Sequence, residues 1–146
     1  MALLRDDLVG TWHLIAASRT GADGRPDSAP FGERPRGLLT YTPSNVMVII
    51  SHGERPLLLD GDRTSASESD RAAAFSTAFA YAGRYEVAGD TVVHHVMLAT
   101  VENWVGTAMV REAEITGDRL VLRTPPIAVG GLSGQFELHW ERAVTI

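Results

Sequence analysis

Two adjacent histidines, His94 and His95, lie in a predicted strand and are the first candidates for chemistry in this sequence. Successive side chains of a strand point to opposite faces, so one of the two imidazoles faces inward in either register. A neutral imidazole in apolar surroundings can act as a general acid or base near pH 7. The alternative, which the sequence alone favours, is a buried histidine hydrogen-bonded by a backbone carbonyl or a neighbouring tyrosine. We take His94 as the candidate catalytic residue.

A cation and three phenols supply the other polar groups of a candidate site. Arg111 shares a strand face with Met109, and its guanidinium is suited to bind a ligand carboxylate or to polarise a carbonyl. An ion pair with an interior or rim carboxylate is the alternative role for this arginine. Tyr41, Tyr81 and Tyr85 either donate hydrogen bonds to ligand oxygens or pack as core aromatics. We predict that Tyr85 or Tyr41 orients a substrate carbonyl while Arg111 holds a polar end of the substrate.

Other types of site are not indicated. Adjacent strand residues diverge, and no Asp, Glu or His completes a metal-ligand spacing with the histidine pair, so we expect no metal. The sequence contains no nucleophile elbow, P-loop or dinucleotide fingerprint, and we expect no cofactor. The predicted ligand-binding residues are therefore aromatic or apolar: Tyr41, Tyr81, Trp104, Met109, Phe75 and Phe79.

Eight segments with period-two alternation predict the strands that position these side chains. Their predicted bounds are Val9–Arg19, Arg36–Thr42, Val46–Ser51, Tyr81–Val87, Thr91–Thr100, Val105–Ile115, Arg119–Thr124 and Leu132–Arg142. Mostly short connections make neighbouring strands antiparallel in an up-and-down order. Eight strands close into a barrel that is filled by side chains or holds one small ligand.

One helix is predicted, from a Ser67 cap to about Ala80, with Phe75 and Phe79 one turn apart on a single face. Together with loops 20–35 and 52–66, it would form a lid over the interior.

The two ends of the chain predict how the sheet closes. Trp12 lies in the first predicted strand and Arg142 ends the last. If these strands pair, no edge strand is left exposed, and the guanidinium can lie across the indole. We assign Trp12 and Arg142 a structural role.

Composition excludes several classes of protein. The 146 residues, 45% hydrophobic and 21% charged, predict a single soluble domain spanning 1–146. The net charge is −5 and the sequence has no basic run, so we do not expect it to bind nucleic acid. No segment has the length of a membrane span, and the N-terminal residues do not resemble a signal peptide, so we expect a cytoplasmic protein. All 13 basic residues are arginine, which is typical of a GC-rich bacterial genome.

Several motifs together resemble the bacterial and fungal lipocalin-like domain family. They are Gly10-Thr11-Trp12, Phe79 to Val87, Val93 to Val96, Asn103 to Thr107, Val110-Arg111 and Trp140-Glu141-Arg142. The resemblance implies an all-β, eight-stranded barrel with a helix at one mouth and an apolar cavity. It also implies a kinship with stand-alone barrels of natural-product gene clusters, some of which act as cyclases or isomerases on polyketide-like intermediates.

Two functions and a third possibility follow as expectations. The first is a cofactor-independent cyclase or isomerase, for example for spiroketal-type ring closure, that encloses a hydrophobic polyketide-like intermediate. The second is a carrier that binds the same kind of molecule unchanged, and the third is an interaction module whose barrel is filled by its own side chains. A cavity with a polar cluster deep inside would favour the enzyme. An apolar outer strand face would indicate a homodimer.

Overall fold

An antiparallel sheet that closes on itself forms the body of the molecule. The structure is a computed structural model that describes residues 3–21, 23–129 and 132–144. The strands within these residues are β1 (Gly10–Thr20), β2 (Pro26–Asp27), β3 (Arg36–Tyr41), β4 (Asn45–Ser51), β5 (Ala78–Ala88), β6 (Thr91–Ala99), β7 (Ala108–Thr116), β8 (Arg119–Arg123), β9 (Ile127–Val129) and β10 (Leu132–Arg142). The helices are α1 (Arg5–Leu8), α2 (Glu68–Ser76) and a 3₁₀ turn (Glu102–Trp104). Each described helix is too short or too polar to cross a membrane.

Eight of the strands form the barrel, and the short strands β2 and β9 lie beside β1 and β10. The barrel order is β1-β3-β4-β5-β6-β7-β8-β10, and β10 pairs back onto β1. In this closing ladder Trp12 lies opposite Arg142 and Thr20 lies opposite Gln135. The predicted eight-stranded antiparallel barrel, with its first and last strands side by side, is confirmed.

One end of the barrel is sealed by the indole of Trp12. The Trp12 side chain is fully buried, and its Nε1 donates a hydrogen bond to the carbonyl of Leu8 over 2.9 Å. The guanidinium carbon of Arg142 lies 4.2 Å from the ring centroid. Its two terminal nitrogens donate to the carbonyls of Val9 and Asp7 over 2.9 and 2.8 Å. These contacts bind helix α1 to the last strand.

Helix α2 is shorter than predicted. Ser67 caps it as expected, because its hydroxyl accepts a hydrogen bond from the Asp70 backbone N–H. The helix ends at Ser76 rather than near Ala80, and the Thr77 hydroxyl donates back to the Ala73 carbonyl. The chain then enters β5, which pairs with β4 along its first residues. The prediction that Phe75 and Phe79 share a helical face is therefore wrong.

Along β5 and β6, alternate side chains point into the barrel and out to its surface. Tyr81 and Tyr85 are buried, whereas Arg84 between them is exposed. A register shift interrupts the β5–β6 ladder at Gly83. A Cβ atom at Gly83 would collide with the backbone carbonyl oxygen of His95, so the two strands lie in close contact beside His94.

Candidate functional site

The barrel encloses a cavity of about 300 Å³. Its walls are mainly aromatic and aliphatic, with a few polar side chains among them. Aromatic and sulfur-containing side chains that line it include Phe31, Phe79, Trp104, Met109, Phe136 and Trp140. The polar side chains that reach it are Tyr81, His94, Arg111 and Thr124. An apolar enclosure with a few convergent polar groups is the usual form of a small-molecule site.

His94 lies between two tyrosines and contacts both. Its Nε2 is 2.7 Å from the hydroxyl of Tyr41, and its Nδ1 is 2.6 Å from the hydroxyl of Tyr81. The imidazole is 1% exposed, and both tyrosine side chains are buried. We call these three residues the tyrosine–histidine triad. Of the three, Tyr81 and His94 border the cavity, and Tyr41 lies behind them.

The imidazole of the triad is neutral. Burial, followed by the positive charge of Arg111 and the neighbouring His95, lowers the pKa of His94 from 6.5 to about 3. A neutral imidazole has one donor and one acceptor nitrogen, so one tyrosine donates to it and the other accepts from it. The structure therefore favours the alternative of a buried histidine held by neighbouring tyrosines.

The direction of the two hydrogen bonds follows from the burial of Tyr41. Within the described residues, the Tyr41 hydroxyl has no hydrogen-bond partner except Nε2 of His94. Its proton must therefore point to Nε2, because a buried donor left unpaired costs about 1–3 kcal/mol. We assign the His94 proton to Nδ1 on this ground, and it is donated to the oxygen of Tyr81. The Tyr81 hydroxyl proton is then free to point into the cavity.

Both phenols of the triad stay protonated at neutral pH. Burial is the largest cause that raises the pKa of Tyr41 and of Tyr81. The positive charge of Arg111 partly opposes it at both phenols, and a hydrogen bond from Arg111 also opposes it at Tyr81. A protonated phenol and a neutral imidazole donate and accept hydrogen bonds, but neither exchanges a proton readily near pH 7. The triad is therefore suited to hold and polarise a ligand oxygen.

Arg111 projects from β7 beside the triad. One guanidinium nitrogen donates to the carbonyl of Val110 over 2.9 Å, and the other lies 3.5 Å from the sulfur of Met109. Across the described chain, no carboxylate comes within ion-pair distance of this guanidinium, and the cavity lining contains no Asp or Glu. The alternative of an ion pair with an interior or rim carboxylate is thus not found among these residues.

Tyr85 is placed away from the site. Its hydroxyl donates to the carbonyl of Thr42 over 2.6 Å, and the Arg5 guanidinium lies over its ring at 4.3 Å. The Tyr85 ring packs against the Tyr41 ring with the centroids 4.9 Å apart, and Tyr85 does not line the cavity. The structure brings together His94, Tyr81, Tyr41 and Arg111, and Tyr85 does not join them as a group that contacts a ligand.

The predicted apolar contacts divide in a similar way. Trp104, Met109 and Phe79 line the cavity, with Phe79 contributed by β5 and not by a helix. Phe75 is 59% exposed on α2 and lies outside the cavity. The structure also places Phe31 in the wall, where it stacks on Phe136 with the ring centroids 5.7 Å apart.

Sequence reasoning missed Phe31 because it lies in the polar loop 20–35, which was interpreted only as part of a lid. Its signal was nevertheless present, since it is the one aromatic residue of that loop. At 4% exposure, it is as deeply buried as the side chains of the strands.

In the described part of the chain, no three His, Asp or Glu side chains are grouped so that they could hold a metal ion.

The outer wall of strands β3 to β6 carries exposed apolar side chains, namely Leu38, Met47, Ile49, Met97 and Leu98. The homodimer that such a face would indicate stays a prediction.

Comparison with known proteins gives three matches. The sequence profile of the lipocalin-like domain matches residues 9–143. The 4'-hydroxy-3'-methoxypropiophenone carrier protein of Aspergillus oryzae is 30% identical over 87 residues, which cover 53% of this chain and 78% of that protein. The crystal structure of a lipocalin-like protein from Bacteroides uniformis superposes with a TM-score of 0.49 at 15% identity, covering 94% of this chain and 99% of that one.

Proposed function

The chain belongs to the lipocalin-like domain family, and from this premise we propose that its barrel binds a hydrophobic small molecule that carries a ketone or similar oxygen. The observation that carries the proposal is the hydroxyl of Tyr81, which borders a mainly apolar cavity of about 300 Å³ and, with the hydrogen-bond directions assigned above, has its proton left to donate to a ligand. A carbonyl oxygen placed there would accept a hydrogen bond from Tyr81 while the rest of the molecule contacts aromatic walls.

The relative from Aspergillus oryzae supports this class of ligand. Its name describes carriage of a propiophenone, which is an aromatic ketone with hydroxyl and methoxy substituents. A flat aromatic ketone suits a cavity bordered by Trp104, Phe79 and Phe136. The polar groups of the cavity can hold a ligand oxygen, but the low pKa of His94 and the raised pKa of Tyr81 make them poor at exchanging protons near pH 7, so non-catalytic binding or carriage is the function that the geometry supports best.

A second candidate is the cyclase or isomerase expected from the sequence, acting on a polyketide-like intermediate. It is favoured by the polar cluster of Tyr81, His94 and Arg111 inside the barrel. If a substrate hydroxyl adds to its own ketone carbon, a C–O bond forms, the carbonyl π pair moves to oxygen, and the hydroxyl proton ends on that oxygen. This closure to a hemiketal needs no cofactor, and a later spiroketal step would release water.

The roles within this second candidate differ from those expected from the sequence. With a pKa of about 3, His94 is a weak base near pH 7, so it acts as a positioning residue that orients Tyr81. Tyr81, and not Tyr85 or Tyr41, polarises the carbonyl. Arg111 would stabilise negative charge that develops on the carbonyl oxygen.

Calorimetric titration with 4'-hydroxy-3'-methoxypropiophenone tests the binding proposal. We expect saturable binding at one site, weakened about 2- to 10-fold in Tyr81→Phe, because one hydrogen bond is worth about 0.5–1.5 kcal/mol. Tyr85→Phe is the matched control and should bind like the wild type, since its hydroxyl lies outside the cavity. Met109→Trp, which fills the cavity, should abolish binding while circular dichroism shows a folded barrel. Equal binding by Met109→Trp would contradict the proposal.

Incubation with an aryl-substituted dihydroxyketone separates the two candidates. The carrier returns it unchanged, whereas the cyclase yields a spiroketal at a rate that falls in Tyr81→Phe but not in Tyr85→Phe. Mass spectrometry detects the loss of one water in the product.

A further inference from the structure

Arg111 is a cation at a mainly apolar cavity, and no carboxylate of the described residues lies beside it. Among the described residues that line the cavity it is the one with a permanent charge, and its partners are a neighbouring carbonyl, a thioether sulfur and the neutral side chain of Tyr81. By contrast, Arg123 on the outer wall contacts both Glu114 and Glu137, over 3.3 and 3.1 Å. A half-buried guanidinium without a carboxylate retains unused donors in a fork that matches a planar anion.

The other titratable groups of the cavity do not compensate this charge. His94 is neutral, and the phenols of Tyr41 and Tyr81 remain protonated. The positive charge of Arg111 acts on all three groups: it adds to the effect of burial in lowering the pKa of His94, and it opposes the rise in pKa that burial causes at Tyr41 and Tyr81. The interior of the barrel therefore has a positive potential that nothing in the described lining cancels.

We propose that the molecule enclosed by the barrel is a lipophilic organic anion whose carboxylate, or ionised phenol or enol, pairs with Arg111 and accepts a hydrogen bond from the hydroxyl of Tyr81. This proposal rests on the proposed function and narrows it from an oxygen-bearing ligand to an acidic one. The hydrophobic remainder contacts the aromatic wall. Discrimination between a neutral and an ionised ligand then depends on one guanidinium.

Two fluorescent probes with the same apolar skeleton test this. 8-Anilinonaphthalene-1-sulfonate carries a permanent anion, and N-phenyl-1-naphthylamine lacks it. We expect the wild type to bind the sulfonate at least about tenfold more tightly, as a charge-assisted pair of about 1.5–3 kcal/mol requires. Arg111→Met should reduce this ratio to near one without weakening the neutral probe. Arg111→Lys, which keeps the charge but not the fork, should give an intermediate ratio.

Matched controls locate the probes. Arg84→Met removes an exposed arginine from β5 and should keep the wild-type ratio. Leu98→Asp places a carboxylate on the apolar outer wall and should leave binding of both probes unchanged. Loss of sulfonate binding in Leu98→Asp would put the probe outside the barrel and overturn the proposal.

The outcomes also separate this proposal from the function on which it rests. Equal affinity of the wild type for the two probes, or a ratio unchanged in Arg111→Met, overturns the anion proposal and leaves ligand binding standing. Failure of both probes and of the propiophenone to bind overturns the proposed function itself.

Discussion

The hydroxyl of Tyr81 lies 2.6 Å from Nδ1 of His94, although these residues are not opposite each other in the β5–β6 ladder. The residue opposite His94 is Tyr85, whose hydroxyl is bonded to a backbone carbonyl. Tyr81 pairs with Ala99, and its side chain reaches back along the barrel to the imidazole. Tyr81 and His94 therefore come together at the cavity through a diagonal contact between β5 and β6.

The burial of His94 predicts acid sensitivity. Its pKa is about 3 in the folded state against 6.5 for the free side chain, so the unfolded state binds more protons between these values. Stability therefore falls as pH decreases from about 6.5 toward 3, by up to about 1.4 kcal/mol per pH unit. His52, whose pKa burial also lowers, adds a smaller slope of the same sign. Urea unfolding between pH 5 and 6.5 should show that the free energy of unfolding changes less steeply with pH in His94→Gln than in the wild type. Equal pH dependence in the two proteins would refute the low pKa of His94.

Tyr41 is predicted to matter for stability more than Tyr81. Tyr41→Phe leaves Nε2 of the buried imidazole without its donor, and we expect a loss of about 1–3 kcal/mol in the free energy of unfolding. Tyr81 borders the cavity, where water can replace its hydroxyl, so Tyr81→Phe should cost less than about 1 kcal/mol. Chemical denaturation of both variants tests this order, and the reverse order would argue against the assigned hydrogen-bond directions.

The contact between Arg142 and Trp12 should contribute to the stability of the barrel but not to its affinity for a ligand. Arg142→Met removes the contact with the Trp12 ring and two hydrogen bonds to backbone carbonyls, which predicts a loss of about 2 kcal/mol. Trp12 does not line the cavity, so affinity for the propiophenone should stay within about twofold of the wild type. Thermal unfolding and calorimetry on the same sample measure the two effects, and a large change in affinity would show that they are coupled.

Gly83 is predicted to tolerate no side chain. A methyl group there meets the backbone carbonyl of His95, which a rotamer change cannot relieve. We expect Gly83→Ala to cost about 1–3 kcal/mol and to disturb the ligand site next to it. Gly89→Ala is a useful comparison, because the added methyl has open space and only the left-handed turn conformation opposes it. Similar stability of Gly83→Ala and the wild type would contradict the close approach of the strands.

The barrel could be predicted from the sequence because strand periodicity and short turns are local properties. Alternation along each strand assigned Tyr81, Met109 and Arg111 to the interior, where the structure places them. The diagonal contact of Tyr81 could not be predicted, because it depends on the register shift at Gly83 and on the direction of a ring.

The end of helix α2 was mispredicted for a different reason. The segment after Ser67 is rich in alanine and favours a helix to Ala80, but pairing with β4 recruits Ala78 and Phe79 into a strand. Periodicity does not reveal the burial of Phe31, because a loop between strands has no alternating pattern, and its aromatic side chain is the one signal that the loop offers.

The pairing of β1 with β10 should allow the chain to be circularly permuted. The Ala143 backbone N–H donates to the carbonyl of Thr11 over 2.7 Å, so the end of β10 lies beside the start of β1. A linker could join the last strand to the first, and new termini could be opened between β4 and α2, where Leu57 and Leu59 are exposed. Such a circular permutant would keep every ladder of the barrel and would present a tag or a fusion partner at the opposite rim.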